Sequence, residues 1–320
     1  MYPRLRRYKM GTEVYSNIDE LWLNVVHEIV ATGQEMLSRA GQMKEVVEYR
    51  ATLLNIESTF LLNPRRKLSP MYAAAETLWY LSGMGKIEML IAYAPQYVNF
   101  AEDGIAFGAY GARMKHYNQL SLLIDILQKS PNSRQALISF WQGWDLEHAY
   151  RGDHKDLPCT MSLQFLIRNK ALHLIATMRS NDAWLGLPYD VFAFTCLQRL
   201  IADALNVNYG TYTHQVGSMH LYEKNWKAAE EALLNTIHYV DDRRLQHHWF
   251  RDTKSWKAQI QTALCAEGRY RNKLNGIAEH RSLGEGMLYD LVSCCAQQFG
   301  HDTICFSPVL RKAFQNAKKK

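Results

Sequence analysis

No stretch of this sequence approaches the roughly 18 consecutive apolar residues of a membrane-spanning helix, so no such span is expected. The basic opening, Met1 to Met10, leads into no apolar run, which argues against a secretory signal. Six cysteines in 320 residues include no C-x-x-C pair, so neither a disulfide framework nor a zinc ribbon is indicated. Reduced thiols and a cytoplasmic location are the default expectation. Internal repeats and low-complexity linkers are also missing. A large excess of either charge is missing too: the net charge of +6 suits an anionic small molecule as well as nucleic acid. Much of that excess sits in Arg4, Arg6, Arg7 and Lys9 and in Lys318, Lys319 and Lys320, read as solvated tails.

What is present is enough apolar residue, 48%, for a large core, with a charged fraction of 21% that argues against disorder. Ile18, Leu21, Val25 and Ile29 share one helical face, with Asn17 and Glu20 in a capping-box pattern and Gly33 as the stop, which predicts a helix from about Ile18 to Thr32. Ser69-Pro70 opens a second helix that ends at Gly83, apolar nearly all round except for Glu76. Gln135 to Trp141 reads as a strand. Met161 to Arg168 and Leu172 to Arg179 read as a hairpin joined by Asn169-Lys170. Pro188 opens an apolar helix to about Leu205, and Gly210 to Tyr222 is extended. Beyond Trp226 the chain reads as helical and polar, with a charged run from Asp241 to Arg244 and a possible boundary near residue 240.

Four kinds of residue in this frame invite chemistry. Cys159, in Leu157-Pro158-Cys159-Thr160 at a strand entry, is either a small buried apolar residue or a thiol held partly open, where nearby cations favour the thiolate. Glu76 is either a buried paired carboxylate or a proton shuttle whose pKa desolvation raises. Asp190 is either a first-turn acid complementing a helix dipole or a ligand-facing group. His214, His220 and Tyr222 suggest a metal, or else a row of hydrogen-bonding groups on one strand face; the second set of ligands that zinc needs is not evident. Cys294, Cys295, Cys305 and His301 look more like packing than a metal site.

Together these residues resemble the thymidylate synthase family. The segments that carry the resemblance are Glu76-Thr77-Leu78-Trp79-Tyr80-Leu81-Ser82-Gly83, Gly108-Ala109-Tyr110-Gly111-Ala112-Arg113, Ser133-Arg134, Leu157-Pro158-Cys159 and His214 through Tyr222. The most specific is Arg179-Ser180-Asn181-Asp182-Ala183-Trp184-Leu185-Gly186-Leu187-Pro188-Tyr189-Asp190. The resemblance implies an α/β (α+β) fold, with a large twisted mixed sheet flanked by helices, a catalytic domain over residues 1–240 and a helical C-terminal extension over 241–320 packed on the same domain. It further implies a homodimer formed through the sheet face. Cys159 is the implied nucleophile toward C6 of a pyrimidine nucleoside monophosphate, with 5,10-methylenetetrahydrofolate as co-substrate and no metal. Arg50, Arg179 and Ser180, with Arg134 from the other subunit, are implied to hold the phosphate, and His220 and Tyr222 the sugar hydroxyl. Asp182 is implied to contact the pterin, and Glu76 with Tyr110 to organise water and move protons. Neither a membrane nor nucleic acid is required.

The departures from the family pattern are informative. Asp190 stands where thymidylate synthases carry an asparagine that serves the uracil edge. A carboxyl group instead accepts from the cytosine 4-amino group and shares a proton with N3. That resembles the deoxycytidylate hydroxymethylases of phages with modified DNA, and implies that water captures the exocyclic methylene to give 5-hydroxymethyl-dCMP. Gln135 replaces a second phosphate arginine, Thr160 the histidine that often follows the nucleophile, and Tyr97-Val98-Asn99-Phe100 lacks the family's flanking tryptophans. Four other readings stay open: C5 methylation of dCMP, hydroxymethylation of ribo-CMP, dTMP synthesis from dUMP with Asp190 as an ordinary cap, and a non-catalytic nucleotide- or RNA-binding protein.

Overall fold

A computed structural model describes residues 13–57, 59–234, 256–303, 305, 307 and 310–314. The basic ends (Met1 to Met10 and Lys318 to Lys320), the Asp241–Arg244 run and the possible boundary near 240 lie outside the described residues. In chain order the elements are β1 (Glu13–Tyr15), α1 (Ile18–Thr32), β2 (Gln34–Ser38), β3 (Gly41–Leu53), α2 (Pro70–Ser82), α3 (Glu88–Ile91), α4 (Tyr110–His116), α5 (Gln119–Lys129), β4 (Leu137–Ser139), α6 (Gly143–Arg151), β5 (Thr160–Arg168), β6 (Ala171–Asp182), α7 (Leu187–Leu205), β7 (Asn208–Tyr222), α8 (Trp226–Leu234), α9 (Trp256–Arg271), α10 (Ile277–Ser282) and α11 (Met287–Gln298).

Seven strands form one mixed sheet in the order β1-β3-β7-β6-β5-β4, with β2 pairing on β3. β7 runs parallel to β6 and antiparallel to β3, and β5 runs antiparallel to both β6 and β4. This mixed sheet with flanking helices is the α/β architecture expected. The hairpin β5–β6 turns through Asn169 and Lys170 at φ 52° and 62°, the left-handed pair of a two-residue turn. Period two then puts Leu172, Leu174, Ala176 and Met178 of β6 on the buried face, where α7 packs. Val191, Phe192, Leu200 and Ile201 of α7 are wholly buried, and each such side chain contributes about 1.5–3 kcal/mol.

Local capping explains why two helices start where the sequence predicts. Asn17 Oδ1 accepts from the Glu20 N–H at 3.0 Å, while the Glu20 carboxylate reaches back to the Ser16 N–H rather than to Asn17. Ser69 Oγ accepts from the Tyr72 N–H, Pro70 follows, and Gly83 closes α2 in the left-handed conformation at φ 68°. β4 is shorter than Gln135 to Trp141, because the N–H groups of Phe140 and Trp141 both turn to the Met161 carbonyl and leave the ladder.

Two features differ from expectation. The strand pair β2–β3, with alternating Glu35, Lys44, Glu45 and Glu48, was not anticipated; its polar faces hide a pairing set by partners far along the chain. The C-terminal helices are also not uniformly polar. Leu288, Leu291, Val292, Cys294 and Cys295 of α11 are buried, and α11 packs on α2 and α9. That contact explains why α2 is apolar nearly all round. No helix among the described residues is long and apolar enough to cross a membrane.

Candidate active site

Glu76, Tyr110 and Asp190, from three separate helices, and Cys159, from the loop before β5, meet at one cavity of 130 Å³, whose walls include Trp79, Tyr80, Tyr97, Asp156 and Pro158. Larger hollows, of 670 Å³ by the β5–β6 turn and 270 Å³ between α2, α4 and α9, are lined by no carboxylate or thiol. Volume alone therefore does not select the site; the clustering of groups that can donate, accept or attack does.

Cys159 immediately precedes β5. Its carbonyl accepts from the Arg179 N–H at 2.9 Å, and the Arg179 side chain folds back over the same loop. Arg179 Nε donates to the Pro158 carbonyl at 3.0 Å and Nη2 to the Leu157 carbonyl at 3.1 Å, with the guanidinium 5.5 Å from the Trp141 ring centroid. Burial pushes the Cys159 thiol up to about 11; Arg179 pulls the other way, and Asp190 and Asp156 raise it further. A cation lies nearby, but desolvation outweighs it, so the balance at this position favours the protonated thiol.

Glu76 projects from the middle of α2, and Tyr72, one turn earlier, donates to its Oε1 at 2.8 Å. Burial first, and the nearby Asp190 charge second, push Glu76 up to about 8, against the opposing hydrogen bonds of Tyr72 and Tyr80. Tyr110 opens α4; its hydroxyl accepts from the Thr160 N–H at 3.1 Å, which leaves its proton free for another partner. Asp190 lies in the first turn of α7 and is buried, so it does more than cap an exposed helix end. Burial pushes it up to about 7 even though Asn181 Nδ2 donates to its Oδ2 at 2.7 Å. Gly186 makes that pairing possible: a Cβ there would stand 2.9 Å from Asn181 Nδ2 and 3.3 Å from Asp190 Oδ2.

The remaining candidates lie on or beside the same sheet but outside the cavity wall. Ser180 and His220 sit on neighbouring strands, with Ser180 Oγ 3.4 Å from His220 Nδ1. The rings of His220 and Tyr222 are 5.0 Å apart, edge to face. Asp182 faces His220 in the ladder, and its Oδ1 accepts from the N–H groups of Trp184 and Leu185 at 2.8 and 3.0 Å, which forms the turn into α7. Arg50 on β3 and Arg134 before β4 are exposed and do not line the cavity. His214 meets Tyr212 and Asn181 rather than His220, so the three-residue metal reading does not assemble. Cys294 and Cys295 are packed in the core, with Cys294 Sγ 3.8 Å from Cys305 Sγ. Among the described residues one group has metal-ligand spacing, His148, Asp153 and His154. Its imidazoles already pair with Asp153 and Glu102.

Sequence reasoning missed Tyr72, Asp156, Asn181 and Tyr212 as partners of these groups. Tyr72, Glu76 and Tyr80 recur at i, i+4, a spacing that puts all three on one helix face and was readable. Asn181 and Asp190 are nine residues apart across a strand-to-helix turn, which nothing local reveals.

A thiol, three carboxyls of raised pKa (Glu76, Asp156 and Asp190) and a tyrosine hydroxyl meet at one aromatic-walled cavity, a combination of groups suited to covalent and proton-transfer chemistry. The thymidylate synthase family model matches residues 20–259, and the chain belongs to that family. It is 32% identical over 248 residues to a deoxyuridylate hydroxymethyltransferase of Delftia phage PhiW-14, covering 71% of this chain and 67% of that one. A deoxyuridylate hydroxymethyltransferase of Bacillus phage SP01 is 28% identical over 228 residues, 65% of this chain and 58% of the relative. A thymidylate synthase of Francisella philomiragia subsp. philomiragia is 25% identical over 227 residues, 66% and 83% respectively. The chain thus spans little more than half the length of the Bacillus phage relative.

Proposed function

We propose that this protein hydroxymethylates C5 of dCMP, using 5,10-methylenetetrahydrofolate and water and releasing 5-hydroxymethyl-dCMP and tetrahydrofolate. The observation that carries the choice of base is Asp190: a buried carboxyl of raised pKa where the family's synthases place an asparagine. Near neutral pH such a group shares a proton with cytosine N3 while accepting from the 4-amino group, and protonation at N3 gives the ring the electron sink that attack at C6 requires.

In this reading Cys159 Sγ bonds to C6 and gives its proton to water held by Glu76, with Arg179 favouring the thiolate as it forms. With N3 protonated, the adduct is a neutral enamine whose C5 is the nucleophile. Methylenetetrahydrofolate, when bound, supplies the one-carbon unit that C5 takes up. The aromatic wall fits a flat heteroaromatic: Tyr97 lines the cavity, and the half-exposed Phe100 packs on it with ring centroids 5.7 Å apart. Glu76 and Tyr110 hold water and move the C5 proton, after which water captures the exocyclic methylene and Cys159 departs. Ser180, Arg179 and Arg50, with Arg134 from a second copy, take the phosphate; His220 and Tyr222 take the 3′-hydroxyl; Asp182 takes the pterin. A homodimer through the open sheet face accords with the exposure of Val47 and Met161.

A second reading, the same reaction on dUMP, draws on the names of the two phage relatives. Turnover of dCMP and of dUMP with methylenetetrahydrofolate, with mass analysis of each product, separates the two. Gain of one CH2O unit on dCMP is expected. Gain on dUMP alone would overturn the choice of base, and gain of one CH2 would overturn hydroxymethylation.

A further inference from the structure

Behind Asp190 runs a buried chain of polar side chains to which the reaction assigns no step. Asn181 Nδ2 donates to Asp190 Oδ2 at 2.7 Å, Asn181 Oδ1 lies 3.1 Å from His214 Nε2, and His214 Nδ1 lies 2.6 Å from the Tyr212 hydroxyl. Asn181 is 4% exposed, and His214 and Tyr212 are fully buried, so no solvent competes for these groups.

The direction of the chain follows from accounting for donors. Among the described residues the Tyr212 hydroxyl has one hydrogen-bond partner, His214 Nδ1. If Nδ1 carried the imidazole proton, the hydroxyl hydrogen would be buried without an acceptor, which is costly. The hydroxyl therefore donates to Nδ1, and Nε2–H donates to Asn181 Oδ1. That turns the Asn181 amino group, and no other atom, toward Asp190. Burial holds His214 neutral, down to about 3, so the direction persists across the physiological range.

We infer that Asn181, locked by His214 and Tyr212, is a specificity-determining positioning residue: it fixes which oxygen of Asp190 accepts and which carries the acid proton. The inference rests on the reading that Asp190 faces the base. Oδ2, receiving a donor, is held as the carbonyl-like oxygen, and the proton of the neutral acid goes to Oδ1. With C6 tied to Cys159, each oxygen faces a fixed ring position. One donor–acceptor order then pairs with cytosine or with uracil, but not with both. Without Asn181 the proton moves freely between the two oxygens, and the distinction is lost. The lack of a side chain at Gly186 leaves room for the amide, since a Cβ there would stand 2.9 Å from Asn181 Nδ2.

The test is the ratio of kcat/KM for dCMP to kcat/KM for dUMP, measured with each nucleotide alone. Asn181→Leu, close in volume and without donors, is expected to lower the ratio roughly 10- to 100-fold, the worth of one hydrogen bond to an ionisable group. His214→Leu should lower it likewise. His214→Gln, whose amide can still donate to Asn181 Oδ1, should recover the ratio; a merely structural role would not produce that split. Asn181→Ser serves if the leucine variant does not fold. Asn181 variants that reduce both substrates equally, with the ratio unchanged, overturn the inference. If instead the wild-type protein shows no dCMP preference and Asp190→Asn leaves the ratio unmoved, the reading of Asp190 itself has failed, and the inference falls with it.

Discussion

Replacing Asp190 with asparagine keeps the shape of the side chain and removes its titration, so it isolates what the buried carboxyl costs the fold. The folded protein holds this group at about 7 against an ordinary 3.8, chiefly through burial. A carboxyl of raised pKa binds its proton more tightly in the native state than in the unfolded chain. Its contribution is therefore fully present below pH 3.8 and is lost as pH rises through 7. About three pKa units at 1.36 kcal/mol each set the scale at about 4 kcal/mol. Asp190→Asn should thus be more stable than wild type by about 2 kcal/mol at pH 5.5 and about 4 kcal/mol at pH 9, with the gain levelling off above neutrality. Urea denaturation of both proteins from pH 5 to 9, with equal m-values as the check on two-state behaviour, measures the difference directly. A difference that stays constant across this range would refute the reasoning, because only a group titrating differently in the two states can produce the slope. Glu76→Gln should show the same sign, with a gain that begins above pH 4.5 and levels off near pH 8, and the double variant should gain less than the sum, since the Asp190 charge is part of what raises Glu76.

Three further outcomes are expected. Iodoacetamide should alkylate Cys159 slowly at pH 7 and about tenfold faster per unit of pH up to about 11, while Arg179→Ala should slow the reaction, both read by mass spectrometry of the Cys159 peptide. Gly186→Ala places a methyl 2.9 Å from Asn181 Nδ2 and should cut kcat/KM for dCMP at least tenfold through displacement of the Asn181–Asp190 pair, with steady-state kinetics as the check. Asp145→Ala leaves the Arg113 guanidinium, now paired through bonds of 2.6 and 2.7 Å to a fully buried carboxylate, without its counter-ion. A loss of about 3–5 kcal/mol by urea denaturation is expected.

The parts of the fold governed by near neighbours were readable from the chain. Asn17, Ser69-Pro70 and Gly83 mark helix ends through contacts within four residues, and Asn169-Lys170 marks a two-residue turn. β2 and β3 were not readable: their charged alternation resembles an exposed loop, and their identity as strands depends on β7, more than 150 residues away. The site shows the same division. Cys159, Glu76, Tyr110 and Asp190, which line one cavity, stood inside motifs and could be named from the chain. The state of the groups was not legible: unnamed nearby cations were expected to favour a thiolate at Cys159, and burial, which no local pattern shows, pushes the thiol up instead. Nor was the chain from Tyr212 to Asp190 legible, since it crosses from β7 to β6 through the sheet register.

The packing of α11 on α2 has a consequence in time as well as in space. Roughly two hundred residues separate the helix that carries Glu76 from the helix that covers its back. At about 5–20 residues per second, a ribosome takes on the order of 10–40 s to deliver the second after the first. Throughout that interval one wall of the future cavity has an apolar back that lacks its α11 cover. Synthesis of this protein therefore leaves a window, ended only when residues 287–298 emerge, in which a chaperone or another nascent copy can occupy that face.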